Sequence, residues 1–412
     1  MAGPATAAPV IVAGGGPVGM TAALRLADLG VEVLLVEAED VPKTDWRAST
    51  FHCATLEVLE ATGIVPQMLE LGLKAHTYDL RDRSSGVVAT FDFSLLEGDT
   101  DYPYRLQLNQ QRVVGLLHDR LRTHPLVELS FGSRLVGYTS NDRGVRVELE
   151  RSTGIERRDG AFLFGADGAA SSVRRLMGVG FEGVTYPERF LIVSIAEDLA
   201  ARLTDLALVN YVADPVEWLF ILRTPESWRV LFPIPAGEPE EWALSDESIE
   251  RRLQGVALSG DRYQLLDRQL YMVHQRVADS FASRRVLLMG DAAHINSPIG
   301  GVGLNSGIHD AADAAARIAR VLSDDLDPRK ELQTYSRVRR RVALDYVQRD
   351  THANTVRLAE TDGARRWREL SAMAEIAADA ERARSYLWRV SLLEPLRRYG
   401  IGRLPDEVTT PG

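Results

Sequence analysis

Two carboxylates and two glycine clusters carry the chemistry open to this sequence. Gly14, Gly16 and Gly19 form G-x-G-x-x-G inside "VIVAGGGPVGMTAALRLADLG", between an apolar run and an alanine- and leucine-rich one. In such a turn the first glycine permits the bend, the second lets a pyrophosphate touch the backbone, and the third brings helix against strand. The helix N-terminus then faces the phosphates with about half a positive charge. Glu37 closes the next apolar run, where a carboxylate accepts from a ribose hydroxyl. Asp291 follows "RVLLMG", at the carboxyl end of a buried strand, where it can accept from a polyol such as a ribityl chain. Gly300, Gly301 and Gly303 then bare the backbone before Leu304-Asn305 opens a helix. The positive end of that helix suits a reduced flavin, which is an anion, by about 0.3–2 kcal/mol. A dehydrogenase using NAD alone needs only the first cluster, so the pair of clusters predicts bound FAD.

These residues require particular elements to hold them. Residues 10–13 read as a strand and 21–29 as a helix, with Gly30 as a left-handed cap. Residues 31–37 read as a second strand, apolar on both faces as buried parallel strands are, giving a βαβ unit. "HCATLEVLEATGI" and "NQQRVVGLLHDRLRTH" are helical patterns, and β-hairpins follow around Asn141-Asp142 and Gly154. Asp82 reads as an exposed hairpin carboxylate. Residues 186–275 are strand-rich, a buried strand returns at 285, and the chain is helical from 308. The fold class predicted is α/β: a Rossmann-like domain (1–74, 101–180, 276–345) interwoven with an antiparallel-sheet substrate domain (75–100, 181–275), then a C-terminal helical region (346–412).

Bulk properties narrow the partners. The chain has 412 residues, 45% hydrophobic and 26% charged, with a net charge of -10 and a pI near 5.4. Nucleic acid would need a basic field and is not an expected partner. A lone cysteine, Cys53, rules out an internal disulfide and fits a reducing cytoplasm. "MAGPATAAP" lacks the marks of a signal peptide and reads as a frayed tail. No run approaches about 18 apolar residues, so no membrane span is expected.

Three signatures in order, "GGGPVG", "FLFGADGAASSVRR" and "LLMGDAAHINSPIGGVGLNSGIHDA", make the chain resemble the group A flavoprotein monooxygenases, relatives of para-hydroxybenzoate hydroxylase. The resemblance covers residues 8 to 345. It implies that NAD(P)H, either NADPH or NADH, visits transiently and reduces FAD. O2 then adds at flavin C4a, and the distal oxygen passes to an electron-rich aromatic ring. It implies FAD contacts from Gly14, Gly16, Pro17, Gly19, Glu37, Arg47, Asp167, Asp291, Gly301, Gly303, Leu304 and Asn305. It also implies one from "LNQQRVV", in a register open between Gln110, Gln111 and Arg112. Pro298 matches a proline that lies against the flavin near the substrate. The thioredoxin-like extra domain of the phenol hydroxylase branch is not expected.

The substrate is expected between the flavin loop and the antiparallel sheet. Tyr211 is a candidate to polarise a phenol, and Arg223 to hold a carboxylate. Trp218, Phe220 and Leu222 alternate, as do Trp228, Val230 and Phe232, and one face of each set lines either a pocket or the core; a slip of one residue exchanges the two. His294 and His309 lack metal-ligand spacing, so no metal is expected, and His294 reads as a loop cap. A covalent flavin link at His52-Cys53 is set aside. Trp367, Leu387 and Trp388 offer either a homodimer contact or cover for the chain's own core. The rivals are a flavin-dependent halogenase, whose W-x-W-x-I-P signature is only half met by "WRVLFPIP", another FAD reductase, and a flavin-binding protein without turnover.

Overall fold

The computed structural model describes residues 8–44, 46, 48–324 and 326–401. The amino-terminal tail through residue 7 and Arg47 lie outside the described residues, as does the chain from 402 onward. Four short runs with no polar side chain form the centre of a six-stranded sheet. They are Val10–Ala13, Val33–Val36, Phe162–Gly165 and Val286–Leu288, all buried. Strands of this composition are stable only when covered on both faces, which parallel crossovers provide. Val10–Ala13 pairs in parallel with both Val33–Val36 and Phe162–Gly165, and Leu163 pairs with Val286. The helix Pro17–Asp28 packs against the long helix Val302–Ser323. The latter starts two residues before Leu304, at a cap on Gly301 in the left-handed region (φ 66°).

A second, eight-stranded sheet stands over this domain in the order His294–Ile295, Leu265–Ala278, Phe181–Ile195, Trp228–Ile234, Leu219–Arg223, Val209–Ala213, Thr77–Asp82, Gly86–Asp92. It is antiparallel except where Val209–Ala213 runs parallel to Thr77–Asp82. Register decides the faces that alternation left open. Phe220 lies opposite Leu231, and Leu222 opposite Arg229. Leu219, Ile221, Trp228, Val230 and Phe232 therefore share the back face. They form a separate core with Ile249 and Leu253 of the helix Asp246–Val256. Trp228 is thus a core residue whose indole N–H donates to Asp198 at 2.8 Å. Phe220, Leu222 and Leu231 turn to the other side, toward the parallel-sheet domain.

Asp82 is not an exposed hairpin charge. It is buried, accepts from Ser84 and Ser85 across the turn, and pairs with Arg366 at 3.1 Å. The C-terminal helices close the structure. Leu387 is buried in the chain's own core, Trp388 is half-buried, and Trp367 is exposed. Among the described residues no helix is long and apolar enough to cross a membrane.

Candidate functional site

A cleft of about 1090 Å³ lies between the two sheets. Its floor is the carboxyl end of the parallel sheet, where open α/β sheets bind ligands. Gly14, Gly16, Pro17, Glu37, Gln110, Asp167, Asp291, Pro298, Gly301, Gly303 and Leu304 all line it. The opposite wall comes from the eight-stranded sheet, through Ile192, Phe220, Leu222, Leu231 and Tyr271.

The glycines divide by what surrounds them. Gly14 has φ 115°, and a Cβ there would sit 2.3 Å from the Ala166 carbonyl oxygen. At Gly19 a Cβ would sit 2.0 Å from the carbonyl oxygen of Gly14, the close helix-to-strand approach that the third glycine permits. Gly16 differs: no atom of the chain lies within 4 Å of an added Cβ. The space at Gly16 belongs to the cleft.

Two helix N-termini open into that cleft. Neither Gly16 nor Gly301 supplies a side-chain cap, and neither helix has an acidic residue in its first turn. Each therefore presents backbone N–H groups that the helix cannot satisfy and the positive end of its dipole. Glu37 accepts from Gly15 N at 2.6 Å and Glu39 N at 3.0 Å. A carboxylate has about four acceptor positions, so capacity remains for hydroxyls. Asp167 caps the short helix Ser172–Met177, taking Ser172 N at 2.7 Å and Val173 N at 3.0 Å. Its sequence reading as a ligand residue meets a structural duty here. Asp291 stands exposed at the cleft, in the turn Gly290–Ala292.

Several candidates do not face the cleft. Arg112 points away and pairs with Glu226 at 3.1 Å, which leaves Gln110 as the cleft residue of its motif. Asn305 is fully buried. Its amide donates to the Thr50 carbonyl (2.8 Å) and accepts the His52 N–H (2.9 Å), so its side chain fixes the loop from behind. Arg223 is half-buried, 5.9 Å from the Trp228 ring centre, and lines neither cavity. Tyr211 faces a smaller cavity behind the loop, where its hydroxyl accepts from Arg105 at 3.2 Å.

His294 is not a loop cap. It is buried and meets Asp310 at 2.8 Å, and Asp310 also takes Arg339 at 2.6 Å. Burial opposes charge on Asp310, but Arg339 and His294 outweigh it and hold its carboxyl below the usual range. His309 meets Thr55 at 3.0 Å, and burial, with help from Arg339, pushes its pKa down to about 3. Burial pushes the Cys53 thiol up to about 11, so it is an inert core residue.

Near the loop, sequence reasoning passed over Arg105 and weighed His52 only for a covalent flavin link. His52 is buried with Nε2 2.9 Å from the Gly300 carbonyl. A carbonyl only accepts, so Nε2 carries the proton. Burial and the charge of Arg105 lower its pKa well below the ordinary value, so the ring is neutral. Arg105 sits in the strand Arg105–Gln107. Its signal was an arginine amid the alternation of "YPYRLQLN", which long-range packing alone turns inward.

The geometry agrees with comparisons to known proteins. Residues 7–350 match a family described as FAD binding domain. Para-nitrophenol 4-monooxygenase of Pseudomonas sp. (strain WBC-3) is 32% identical over 387 residues, covering 92% of this chain and 94% of that protein. The 6-hydroxy-3-succinoylpyridine 3-monooxygenase HspB of Pseudomonas putida is 33% identical over 318 residues, with coverage of 76% and 80%. The crystal structure of p-nitrophenol 4-monooxygenase PnpA from Pseudomonas putida DLL-E4 superposes with a TM-score of 0.89 at 29% identity, covering 97% and 99% of the two chains.

Proposed function

The chain belongs to the FAD-dependent aromatic monooxygenases related to para-hydroxybenzoate hydroxylase, and on that footing we propose that it hydroxylates a phenolic ring seated between residues 298–304 and the eight-stranded sheet. The observation that carries the reading is the pair of uncapped helix N-termini opening into one cleft. One suits a pyrophosphate and the other an anionic ring system. The same arrangement supports FAD held along the cleft, with Gly14, Gly16, Pro17 and Gly19 at the phosphates, Glu37 at the ribose and Asp291 at the ribityl hydroxyls. Gln110 and Asp167 flank it, and Gly301, Gly303 and Leu304 lie at the ring. The group supplies the redox chemistry, with NAD(P)H and O2 as co-substrates.

The chain's own part is to bind, orient and exclude water. Ile192, Phe220, Leu222 and Leu231 give an apolar wall from which water is displaced once a ring is seated. Pro298 lines the cleft beside Gly301 and bounds the ring's position. His52 and Asn305 hold the loop from behind through Gly300 and Thr50. We assign the parallel-sheet domain to residues 1–74, 101–180 and 276–345, and the substrate domain to 75–100 and 181–275.

The test is stopped-flow reduction across a panel of phenols, with labelled O2. NAD(P)H oxidation is expected to be slow alone and at least tenfold faster with the right phenol, about 1.4 kcal/mol, with label in the ring product. Equal reduction rates with and without every phenol, and no label in any product, would refute the hydroxylase reading.

A further inference from the structure

The helix Gln110–Leu121 begins without the support its own sequence offers. Asn109 is its N-cap residue yet makes no side-chain cap bond, and the first turn holds no acid. An N-cap asparagine ordinarily accepts from the N–H two or three residues on. Here the Asn109 amide nitrogen instead donates to Glu226 at 2.6 Å, and Arg112 Nε donates to the other oxygen of that carboxylate at 3.1 Å. An ionised carboxylate only accepts, so the Asn109 nitrogen must face it and the amide oxygen must turn away. That oxygen is buried with no partner among the described residues, on a side chain that is itself fully buried. Leaving it unpaired is costly, so the contact with Glu226 outweighs both the cap and the lost acceptor.

Glu226 reaches the helix from across the cleft. It lies in the turn between the strands Leu219–Arg223 and Trp228–Ile234. This hairpin carries Phe220, Leu222 and Leu231 of the apolar wall. Its turn is closed by Thr224 N donating to the Ser227 carbonyl at 2.8 Å, and both side chains are buried. Glu226 does not line the cleft itself, but Gln110, between Asn109 and Arg112 in the chain, does. Backbone bonds hold one side of the segment bearing Gln110: Leu108 N donates to Ser49 at 2.8 Å and Gln110 N to Ala48 at 2.9 Å. Glu226 holds the other side, and its charge lies at the positive end of the helix. The same hairpin touches this strip once more, where Arg229 stands 5.5 Å from the Trp46 ring centre, two residues before Ala48.

We propose that Glu226 is a positioning residue for the flavin: from the sheet side it completes the first turn of Gln110–Leu121 and so fixes Gln110 against FAD. The hairpin that walls the ring site thereby sets a flavin-facing residue on the opposite side of the cleft. The inference rests on the placement of Gln110 beside FAD proposed above, and its test needs no turnover.

FAD dissociation constants are measured by flavin fluorescence on the full chain as wild type, Glu226→Ala, Gln110→Ala and the double variant. Each single substitution is expected to weaken binding about fivefold, the scale of one net hydrogen bond. Independent effects would multiply to about 25-fold in the double variant, whereas Glu226 acting through Gln110 predicts about fivefold there. Glu226→Gln keeps an acceptor for Asn109 and is expected to bind FAD more tightly than Glu226→Ala. Apoprotein melting curves show that each variant folds. Should Glu226→Ala fail to fold, the cycle is run with Glu226→Gln, whose effect must likewise vanish in the Gln110→Ala background. Wild-type affinity in Glu226→Ala, multiplied effects in the double variant, or Glu226→Gln no better than Glu226→Ala overturns the assignment. Wild-type affinity in Gln110→Ala overturns it too and removes Gln110 from the flavin site, which the other results leave in place.

Discussion

Asp310 accepts the backbone N–H of Gly290 at 2.9 Å, so the residue just before Asp291 is tied to the middle of the long helix Val302–Ser323. The same carboxylate takes Arg339 at 2.6 Å and His294 at 2.8 Å, all three side chains being buried. One group thus joins the end of a parallel strand, the edge of the second sheet and two helices. Removing one partner of a buried pair leaves the other uncompensated, at a cost of about 3–5 kcal/mol. Asp310→Ala is expected to melt well below wild type, and to lose FAD because Asp291 is no longer fixed. Thermal denaturation with and without added FAD checks this; a wild-type melting temperature in the variant would refute it.

The glycines of the first turn should separate ligand space from packing. Gly16→Ala places its methyl where no atom of the chain lies within 4 Å. The apoprotein should keep its melting temperature while FAD affinity falls at least tenfold. Gly19→Ala drives a methyl to 2.0 Å from the Gly14 carbonyl. That should destabilise the apoprotein itself, by roughly the 1–3 kcal/mol typical of overpacking. Equal effects of the two substitutions on apoprotein stability would remove the distinction.

Asp291→Ala should weaken FAD binding by about 1.5–3 kcal/mol, the worth of a hydrogen bond to a charged group. Asp142 is the proper control. It is exposed and pairs with Arg329 at 3.0 Å, an arrangement worth about 0–1 kcal/mol. Asp82, the choice an isolated sequence suggests, would mislead, because its removal strands Arg366 and opens the Ser84–Ser85 turn. Identical FAD dissociation constants for Asp291→Ala and Asp142→Ala would be incompatible with the proposed role of Asp291.

What the sequence made legible is what is local. The G-x-G-x-x-G turn and the strand before Asp291 are written in consecutive residues, because turn chemistry and continuous apolar runs act over short spans. Pairing across the second sheet was not legible. Trp228 and Phe220 both alternate correctly, yet only the Phe220–Leu231 register puts one in the core and the other on the cleft. Arg105, His52 and Asp310 were illegible for a related reason. Their partners, Tyr211, Gly300 and Gly290, lie 20 or more residues away in the chain and meet them only once the chain has folded. Gln110 and Arg112 show the same limit at two residues' distance: the helix Gln110–Leu121 turns one to the cleft and the other to Glu226.

The buried histidines predict an acid limb in stability. His309 is fully buried with a folded pKa of about 3, against about 6.5 unfolded. Between those values the unfolded chain holds a proton on this residue that the folded chain does not. Stability therefore rises with pH through that window and is flat above about 6.5, with a slope of up to about 1.4 kcal/mol per pH unit for the group. His52 is depressed in the same direction and steepens the limb. Asp310, also held low, adds its loss only below its unfolded value of about 3.9. Apoprotein melting temperatures should thus be level from pH 7 to 8.5 and fall progressively from pH 6.5 to 4.5. His309→Gln removes a titrating group, and glutamine can still meet Thr55. The variant should lose about one proton's worth of slope across pH 4.5–6.5 even where its absolute stability is lower. Parallel curves for wild type and variant over that range would show that His309 is not the buried neutral group described.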